Sequence, residues 1–283
     1  MAQSHVQKVY NQRTYDTKEL SFIGEQFRDI CSALKKVVFE QLLSPKHDAS
    51  NCPDFVLDLA CGQGCDTKKI LFWRPKETKY VGVDYSDVAI KVAQTRNPKQ
   101  NYVLANINDQ KQSWTQLLPH PPPRQTMLVC CNAIHYLDWE LFWTRARFFG
   151  PTYMLLWYVD AEYLDANLAV FENHPWFQMR PAKTKNSYMV KLPGVLSEHV
   201  EERKIYPAQI KEVCERRWGQ NRVIVQQRSL YDCLELFKSH PLLSSFSNNL
   251  IDPAVLTLCK LYKTCIIKFI YSYSEIQRLS KQD

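Results

Sequence analysis

Asp58, Gly62, Gly64 and Asp84 have the types and the spacing that suit binding of a nucleotide-like ligand. Asp58 lies inside a short apolar run, and the two glycines follow this run directly. Glycines let the backbone approach a ligand that a Cβ atom would exclude. Asp84 ends the next apolar run, where its carboxylate could accept hydrogen bonds from both hydroxyl groups of a ribose. The pattern therefore predicts a site for a ligand that contains a ribose.

The stretch that carries these residues has the form strand, glycine loop, helix, strand. Residues 55–59 and 80–84 read as buried parallel strands, and a helix opens after Asp66. The NAD fingerprint G-x-G-x-x-G is not matched, because the next glycine after Gly64 is Gly82. The spacing instead resembles D-x-(G/A)-x-G-x-G, the pattern of S-adenosylmethionine (AdoMet) binding in class I methyltransferases. A tight strand-to-helix turn without a ligand is the alternative.

Apolar periodicity predicts the elements that must position this loop. We expect helices over residues 17–43, 86–96, 138–149, 161–172 and 207–218. We expect further strands over residues 101–107, 126–131, 152–159, 222–227 and 264–273. The prolines of 119–123 predict a rigid connector, and the proline-dotted residues 173–206 predict an irregular insertion. Strands that alternate with helices predict an α/β fold with a mostly parallel sheet.

Composition excludes several classes of protein. The chain has 283 residues, of which 45% are hydrophobic and 12% aromatic, so we expect a globular chain of one large or two small domains. The net charge of +7 suits a polyanionic partner. The ten cysteines lack paired C-x-x-C spacing, which predicts reduced thiols in the cytosol rather than a zinc site. The polar N-terminus predicts no secretory leader, and no apolar run approaches the ~20 residues of a membrane span.

A second group of candidate residues follows the strand predicted over 126–131. His135 and Tyr136 lie in the loop after it, and ligands of open α/β sheets bind beyond the carboxyl ends of the strands. A histidine and a tyrosine at this position offer stacking faces and hydrogen bonds to a planar base. A purely structural pair is the alternative.

Beyond these residues, the chain resembles the mRNA cap guanine-N7 methyltransferases from about residue 6 to residue 273. The family segment V-x-x-H-Y-N is similar to residues 6–11, R-N-x-N-N-x-x-K to 28–35, D-L-G-C-G-K-G-G-D to 58–66, Q-F-A-I-H-Y to 131–136, and E-x-x-V to 202–205. The ribose acid of the family matches Asp84, and the arginine that closes the next helix matches Arg96.

The chain also departs from the family pattern. Cys131 and Asn132 replace the usual Gln and Phe, Asn106 replaces the acid after the third strand, and Gln63 replaces the lysine of the glycine loop. Divergence of this kind resembles the methyltransferase domains of capping enzymes from large cytoplasmic DNA viruses.

The resemblance implies a fold and a domain organisation. It implies a class I AdoMet-dependent methyltransferase, Rossmann-like, with a seven-stranded, mostly parallel sheet and an antiparallel last strand. It implies that residues 1–45 form an arm and helix that cover the site. Residues 46–283 would then form the methyltransferase core, with a cap-binding insertion around 173–206.

The resemblance also implies an activity: methyl transfer from AdoMet to N7 of the guanine cap of GpppRNA, with S-adenosylhomocysteine (SAH) as product. The implied partners are capped RNA and other capping domains of the same polypeptide, with no metal, no membrane and a cytoplasmic location (virus factory or virion for a viral chain). A catalytically silent partner subunit, a small-molecule methyltransferase and an enzyme for another RNA position stay open. For ribose 2′-OH methylation, no Lys-Asp-Lys-Glu tetrad can be assembled at suitable positions.

Site residues carry over from the matched motifs, and none of them acts as an acid or base. The cofactor residues are Lys35, Asp58, Ala60, Gly62, Gly64, Asp84, Tyr85, Asn106, Ile107, Cys131 and Tyr136. The cap residues are Tyr10, Asn11, Arg96, His135, Tyr136 and Glu202. Ordinary explanations compete for three of them: a solvated helix face for Lys35, a helix C-terminal cation for Arg96, and a charged surface run for Glu202.

Overall fold

A computed structural model describes residues 22–44, 52–74, 76–111, 114, 125–192, 199–244, 246 and 251–270. The strands in these residues are β1 (Phe55–Leu59), β2 (Lys79–Asp84), β3 (Asn101–Leu104), β4 (Thr126–Cys131), β5 (Tyr153–Val159), β6 (Gln178–Pro181), β7 (Ser187–Lys191), β8 (Val200–Arg203), β9 (Val223–Ser229) and β10 (Tyr262–Phe269).

Helices of the same residues separate most of the strands. They are α1 (Phe22–Leu43), α2 (Thr67–Trp73), α3 (Asp87–Arg96), α4 (Trp139–Phe149), α5 (Ala161–Ala166), α6 (Leu168–Glu172), α7 (Pro207–Trp218), α8 (Leu230–Leu236) and α9 (Pro253–Leu261). No described helix is long and apolar enough to cross a membrane.

Seven strands form one sheet in the order β3-β2-β1-β4-β5-β10-β9. The strands from β3 to β5 pair in parallel. The last described strand, β10, is antiparallel to β5, because the Phe269 N–H donates to the Thr152 carbonyl at one end and the Asp160 N–H to the Leu261 carbonyl at the other. The predicted α/β sheet with an antiparallel last strand is therefore confirmed.

Parallel sheets are usually covered by helices on both faces, which buries their central strands. All residues of β1 and β5 are buried, which explains their continuous apolar sequence. Local signals start the flanking helices: the Ser86 side chain accepts from the Ala89 N–H before α3, and the Asp138 side chain accepts from the Leu141 N–H before α4. These caps place the start of each helix directly after a strand or its loop.

The chain divides into two compact units. One comprises residues 38–157, 208–227 and 265–283, and it contains β1 to β4 with α2 to α4. The other comprises residues 1–37, 158–207 and 228–264, and it contains the second sheet, β6-β7-β8.

The prediction that residues 173–206 are irregular is wrong for the described part of this stretch. Strands β6, β7 and β8 pair antiparallel there, with Tyr188 opposite Glu202. Burial alternates along β8, where Val200 and Glu202 are buried and Glu201 is exposed. The short strands and flanking prolines hid this period-2 pattern in the sequence.

Other boundaries also differ from the predictions. Strand β3 ends at Leu104 rather than at residue 107, because the Asn106 side chain accepts from the Asn108 N–H and starts a turn. The helix predicted over 161–172 is broken at Asn167, whose side chain donates to the Tyr163 carbonyl and competes with the helix backbone.

The remaining differences concern the carboxyl-terminal part of the described residues and the predicted elements that lie outside them. Helices α8 and α9 were not predicted, although Ser229 and Asp232 form a capping box and Pro253 is a usual first helical residue. Strand β10 begins at Tyr262, two residues before the prediction, and its predicted end at 273 lies outside the described residues. The connector predicted over 119–123 and residues 17–21 of the first predicted helix also lie outside them.

Candidate functional site

The carboxyl ends of β1, β2 and β4 meet at one edge of the sheet, because these three strands are neighbours and run in parallel. The loops that follow them are the glycine loop, the turn at Asp84, and the segment that contains His135 and Tyr136. The sheet therefore brings together the residues that the sequence placed in separate motifs, at the edge where open α/β sheets bind ligands.

Three residues of the glycine loop have left-handed backbone conformations: Ala60 with φ 57°, Gly62 with φ 54° and Gly64 with φ 68°. Ala60 thus adopts a conformation that favours glycine, the residue that the family motif has there. A Cβ atom on Gly62 would meet no heavy atom within 4 Å, whereas one on Gly64 would lie 2.8 Å from the Tyr102 hydroxyl. Gly62 therefore faces open space, and Gly64 is packed against the protein.

Asp84 holds the loop through both oxygens of its carboxylate. The Gly62 N–H donates to Oδ2 at 2.8 Å, and the Ser86 N–H donates to Oδ1 at 2.9 Å. The Asp84 side chain is buried. Because a carboxylate oxygen can accept two hydrogen bonds, ribose hydroxyls could join these backbone donors.

Below the loop, a chain of buried hydrogen bonds ends on Asp58. Asn97 Nδ2 donates to the Tyr102 hydroxyl at 3.1 Å, and that hydroxyl donates to Thr67 Oγ1 at 2.9 Å. Tyr80 donates to Asp58 Oδ2 at 2.9 Å and lies 2.9 Å from Thr67 Oγ1. Since the only hydroxyl proton of Tyr80 goes to Asp58, Thr67 must donate to Tyr80. Asn97 also donates to the Gly64 carbonyl at 3.3 Å, which links the chain to the loop.

Burial raises the pKa of the Cys61 thiol well above its ordinary value, and the carboxylates of Asp58 and Asp84 raise it further. Burial and then Asp58 raise the pKa of Tyr80 in the same direction, and burial raises the pKa of Tyr102. These groups therefore stay protonated near neutral pH, which keeps the two tyrosines available as donors in this series of hydrogen bonds.

The structure also shows where the other predicted residues of this unit lie. Tyr85 follows Asp84 and is half-buried; Asn106 is exposed and Ile107 is buried in the turn after β3. Cys131 is half-buried at the end of β4. Arg96 is exposed at the end of α3, and its Nη1 lies 3.0 Å from Cys65 Sγ.

His135 and Tyr136 form a short 3₁₀ turn, Ile134–Tyr136, after Asn132, whose φ is 57°. Their rings are packed edge to face with centroids 4.0 Å apart. His135 is buried and Tyr136 is half-buried, so the pair offers one partly accessible aromatic ring at the ligand edge of the sheet.

The remaining predicted residues belong to the second unit or are not described. Lys35 is buried on α1, and Glu202 is buried on β8. The Glu202 carboxylate raises the pKa of Tyr188, which burial has already raised well above its ordinary value. Tyr10 and Asn11 lie outside the described residues.

Thr67, Tyr80, Asn97 and Tyr102 support the site but were not predicted from the sequence. The available signal was tyrosine inside apolar strands, since a buried tyrosine hydroxyl needs a hydrogen-bond partner. The partners themselves lie 5 to 35 residues apart in the chain. Among the described residues, no group of three or more side chains of the metal-binding types could hold a metal ion.

Sequence comparison identifies relatives of the part that forms this site. Residues 56–147 match the sequence model of the methyltransferase domain family. A stretch of 100 residues is 36% identical to the mRNA cap guanine-N(7) methyltransferase of Debaryomyces hansenii. This stretch covers 33% of the chain but only 18% of the yeast protein.

Structural comparison extends over nearly the whole chain. The plantazolicin methyltransferase BamL, solved with a triazolic desmethylPZN analog and SAH, superposes with a TM-score of 0.58 at 11% identity, covering 94% of this chain and 95% of that protein. A protein of Pyrococcus horikoshii OT3 gives 0.52 at 11% identity, over 95% and 100%. Identities this low establish the fold alone, which is that of the class I AdoMet-dependent methyltransferases.

The two loop glycines should respond differently to replacement by alanine. Gly64→Ala adds left-handed strain and a Cβ atom that lies 2.8 Å from the Tyr102 hydroxyl and 3.1 Å from Ala93 Cβ, so we expect it to lower the free energy of unfolding by about 2–4 kcal/mol. Gly62→Ala adds only the strain, about 1–2 kcal/mol. Urea denaturation of both variants measures the difference. Equal losses would show that the loop packs differently from the structure.

Proposed function

We propose that this chain transfers a methyl group from AdoMet to N7 of the guanine cap of RNA and releases SAH. The observation that carries the proposal is the glycine loop: an open face at Gly62 next to the buried Asp84 carboxylate, inside the stretch that matches the methyltransferase domain family. The likeness over 100 residues to a cap guanine-N(7) methyltransferase supports the choice of substrate.

The residues of the first unit fit AdoMet. Gly62 leaves room for the cofactor to approach the backbone, and Asp84 supplies acceptors for the ribose hydroxyls. Ile107 and the turn around Asn106 follow the next strand of the sheet, where we place the adenine. AdoMet supplies an electrophilic methyl group on a positively charged sulfur. The chain binds and orients the cofactor and keeps water from the reacting atoms.

For the substrate, we assign His135 and Tyr136 to contact with the cap. Their position after β4 puts an aromatic ring at the edge where the cofactor loop also ends. Stacking of a base on an aromatic ring contributes roughly 1–3 kcal/mol per base. The net charge of +7 favours an RNA end with its triphosphate bridge, and we assign Arg96 and Lys35 to anionic groups of the substrate or the cofactor.

Glu202 has the chemistry to recognise guanine. Its carboxylate only accepts hydrogen bonds, and guanine presents two adjacent donors, the N1–H and the 2-amino group. Its burial on the inner face of the three-stranded sheet argues against the simple charged surface that the run around it suggested. We therefore propose that Glu202 recognises the guanine.

The reaction needs no general base. Guanine N7 carries an in-plane lone pair and no proton at neutral pH, so proton abstraction has nothing to act on. Rate enhancement must come from holding N7, the methyl carbon and the sulfur in line, which can contribute about 7–11 kcal/mol. The chain is thus proposed to act by orientation and by the electrostatics of the site. Capped RNA, and other capping domains of a larger polypeptide, are the proposed partners.

Asp84→Asn should weaken AdoMet binding at least about tenfold, because one carboxylate oxygen and the negative charge are lost at the ribose. Asp84→Ala should weaken it further and also destabilise the fold by about 1–3 kcal/mol, since the Gly62 and Ser86 N–H groups lose their acceptors. Calorimetry with AdoMet measures the affinity. Asp87→Ala, at an exposed ion pair three residues away, is the control. Unchanged affinity in both Asp84 variants would place the cofactor elsewhere.

Glu202→Gln should raise the KM for capped RNA about tenfold or more and leave AdoMet affinity unchanged, because a neutral amide presents one acceptor to two guanine donors. Glu201→Gln is the matched control, since Glu201 is the neighbour on the exposed face of the same strand. Steady-state kinetics with GpppA-RNA separates the two variants. Weaker AdoMet binding with an unchanged KM would assign guanine recognition to another residue.

The single-turnover rate at saturating substrates should be nearly constant from about pH 5 to 8.5, a range that extends well below the ordinary pKa of histidine. Cys61, Tyr80 and Tyr102 have pKa values raised above their ordinary ones, so each keeps its proton throughout this range. His135→Asn should lower activity through weaker cap binding without adding or removing a pH step. A wild-type rate that rises about tenfold per pH unit, and loses that slope in the variant, would make His135 a base and N7 the wrong atom.

A further inference from the structure

The turn after β3 is held by a buried arginine that belongs to α4. Arg145 donates from its guanidinium to the carbonyls of Ile107 and Asp109 and lies 3.5 Å from the carbonyl of Asn106. Its Cζ lies 4.4 Å from the centre of the Trp114 ring. Because a guanidinium is planar and carries five donors in a fixed fork, it can fix several carbonyls at once.

Asn108, at the tip of the same turn, connects it to the loop after β4. Its Nδ2 donates to the Tyr136 carbonyl at 3.1 Å, and its Oδ1 accepts from the Asp138 N–H at 2.7 Å. The Asn108 backbone N–H donates to Asn106 Oδ1 at 2.9 Å. One side chain therefore fastens the turn proposed to hold the adenine to the segment that carries His135 and Tyr136.

These contacts connect the proposed binding positions of the cofactor and the cap. The Asn108 side chain binds the backbone at Tyr136 and again at Asp138. These two bonds fix both the distance between the turn and the segment after β4 and the orientation of that segment. Arg145 fixes the other side of the turn to the body of the unit. A ligand that orders the turn must then also order the segment after β4, and the reverse.

We propose that Asn108 is a positioning residue that couples cofactor binding to the order of the His135–Tyr136 segment, with Arg145 holding the turn that carries it. The inference rests on the proposed function for the identity of the two ligands. Coupling of this kind is reciprocal: the cofactor raises the affinity for the cap by the same factor as the cap raises the affinity for the cofactor.

A purely structural role is the competing explanation, because Asp138 also caps α4. Asn108 is exposed, so its replacement by alanine buries no unpaired group and should leave the unit folded. A structural role predicts a change in stability without a change in coupling. The proposal predicts a change in coupling without a change in stability.

Hydrogen exchange with SAH as the probe tests the coupling without any substrate. In the wild type, SAH should slow exchange in residues 104–110 and also in 133–138. In Asn108→Ala, SAH should still protect 104–110 but protect 133–138 much less than in the wild type, because only the direct contact proposed for Tyr136 remains. Asn173→Ala is the matched control, since Asn173 is another exposed asparagine with one side-chain bond to a carbonyl.

Asn108→Asp and calorimetry test the same coupling independently. Asn108→Asp retains an acceptor for the Asp138 N–H but loses the donor to Tyr136, so it should also reduce the protection of 133–138. Calorimetry should show that GpppA tightens SAH binding about fivefold or more in the wild type and has no effect in Asn108→Ala. Wild-type protection of 133–138 in both Asn108 variants would overturn the proposal.

The proposed function can fail separately. If the wild type binds SAH and protects both segments but does not methylate capped RNA, the substrate is wrong and the coupling stands. If the wild type does not bind SAH at all, both proposals are overturned.

Discussion

The buried carboxylate of Asp58 organises the ligand edge of this protein. A charge in the middle of an all-buried strand is tolerated only when it receives hydrogen bonds. Tyr80 supplies one, and the need to donate toward the charge sets the direction of every bond from Asn97 through Tyr102 and Thr67. Asn97 ends this series of hydrogen bonds by donating to the Gly64 carbonyl. The series therefore links the glycine loop to the buried Asp58 carboxylate.

The loop in turn has a packed side and an open side. Gly64 is pressed against Tyr102 and Ala93, where a side chain has no room, while Gly62 faces open space and gives its N–H to Asp84. The left-handed backbone at Gly62 favours glycine, and the open face beside it leaves room for a ligand to approach the backbone.

The turn after β3 and the segment after β4 are joined by hydrogen bonds of the Asn108 side chain. Asn108 and Arg145 hold the turn after β3, and the same turn is tied to the segment of His135 and Tyr136. A transfer reaction that works by orientation needs both reactants on one rigid frame, since small misplacements are costly in rate. Glu202, which we propose reads the guanine, is buried and belongs to the other unit.

The sequence by itself determined the central part of the fold and the ligand loop, because these depend on local signals: apolar runs for β1, β4 and β5, apolar periodicity for α3 and α4, and glycine spacing at Gly62 and Gly64. The three-stranded sheet of β6 to β8 escaped prediction, since pairing between short strands is set by contacts distant in the chain. Only the tertiary structure placed Tyr102 on Thr67, 35 residues away, and Arg145 on Ile107, 38 residues away. The residues that we propose contact a ligand stand in the sequence as motifs, whereas the residues that hold them in place become recognisable only when folding brings distant positions together.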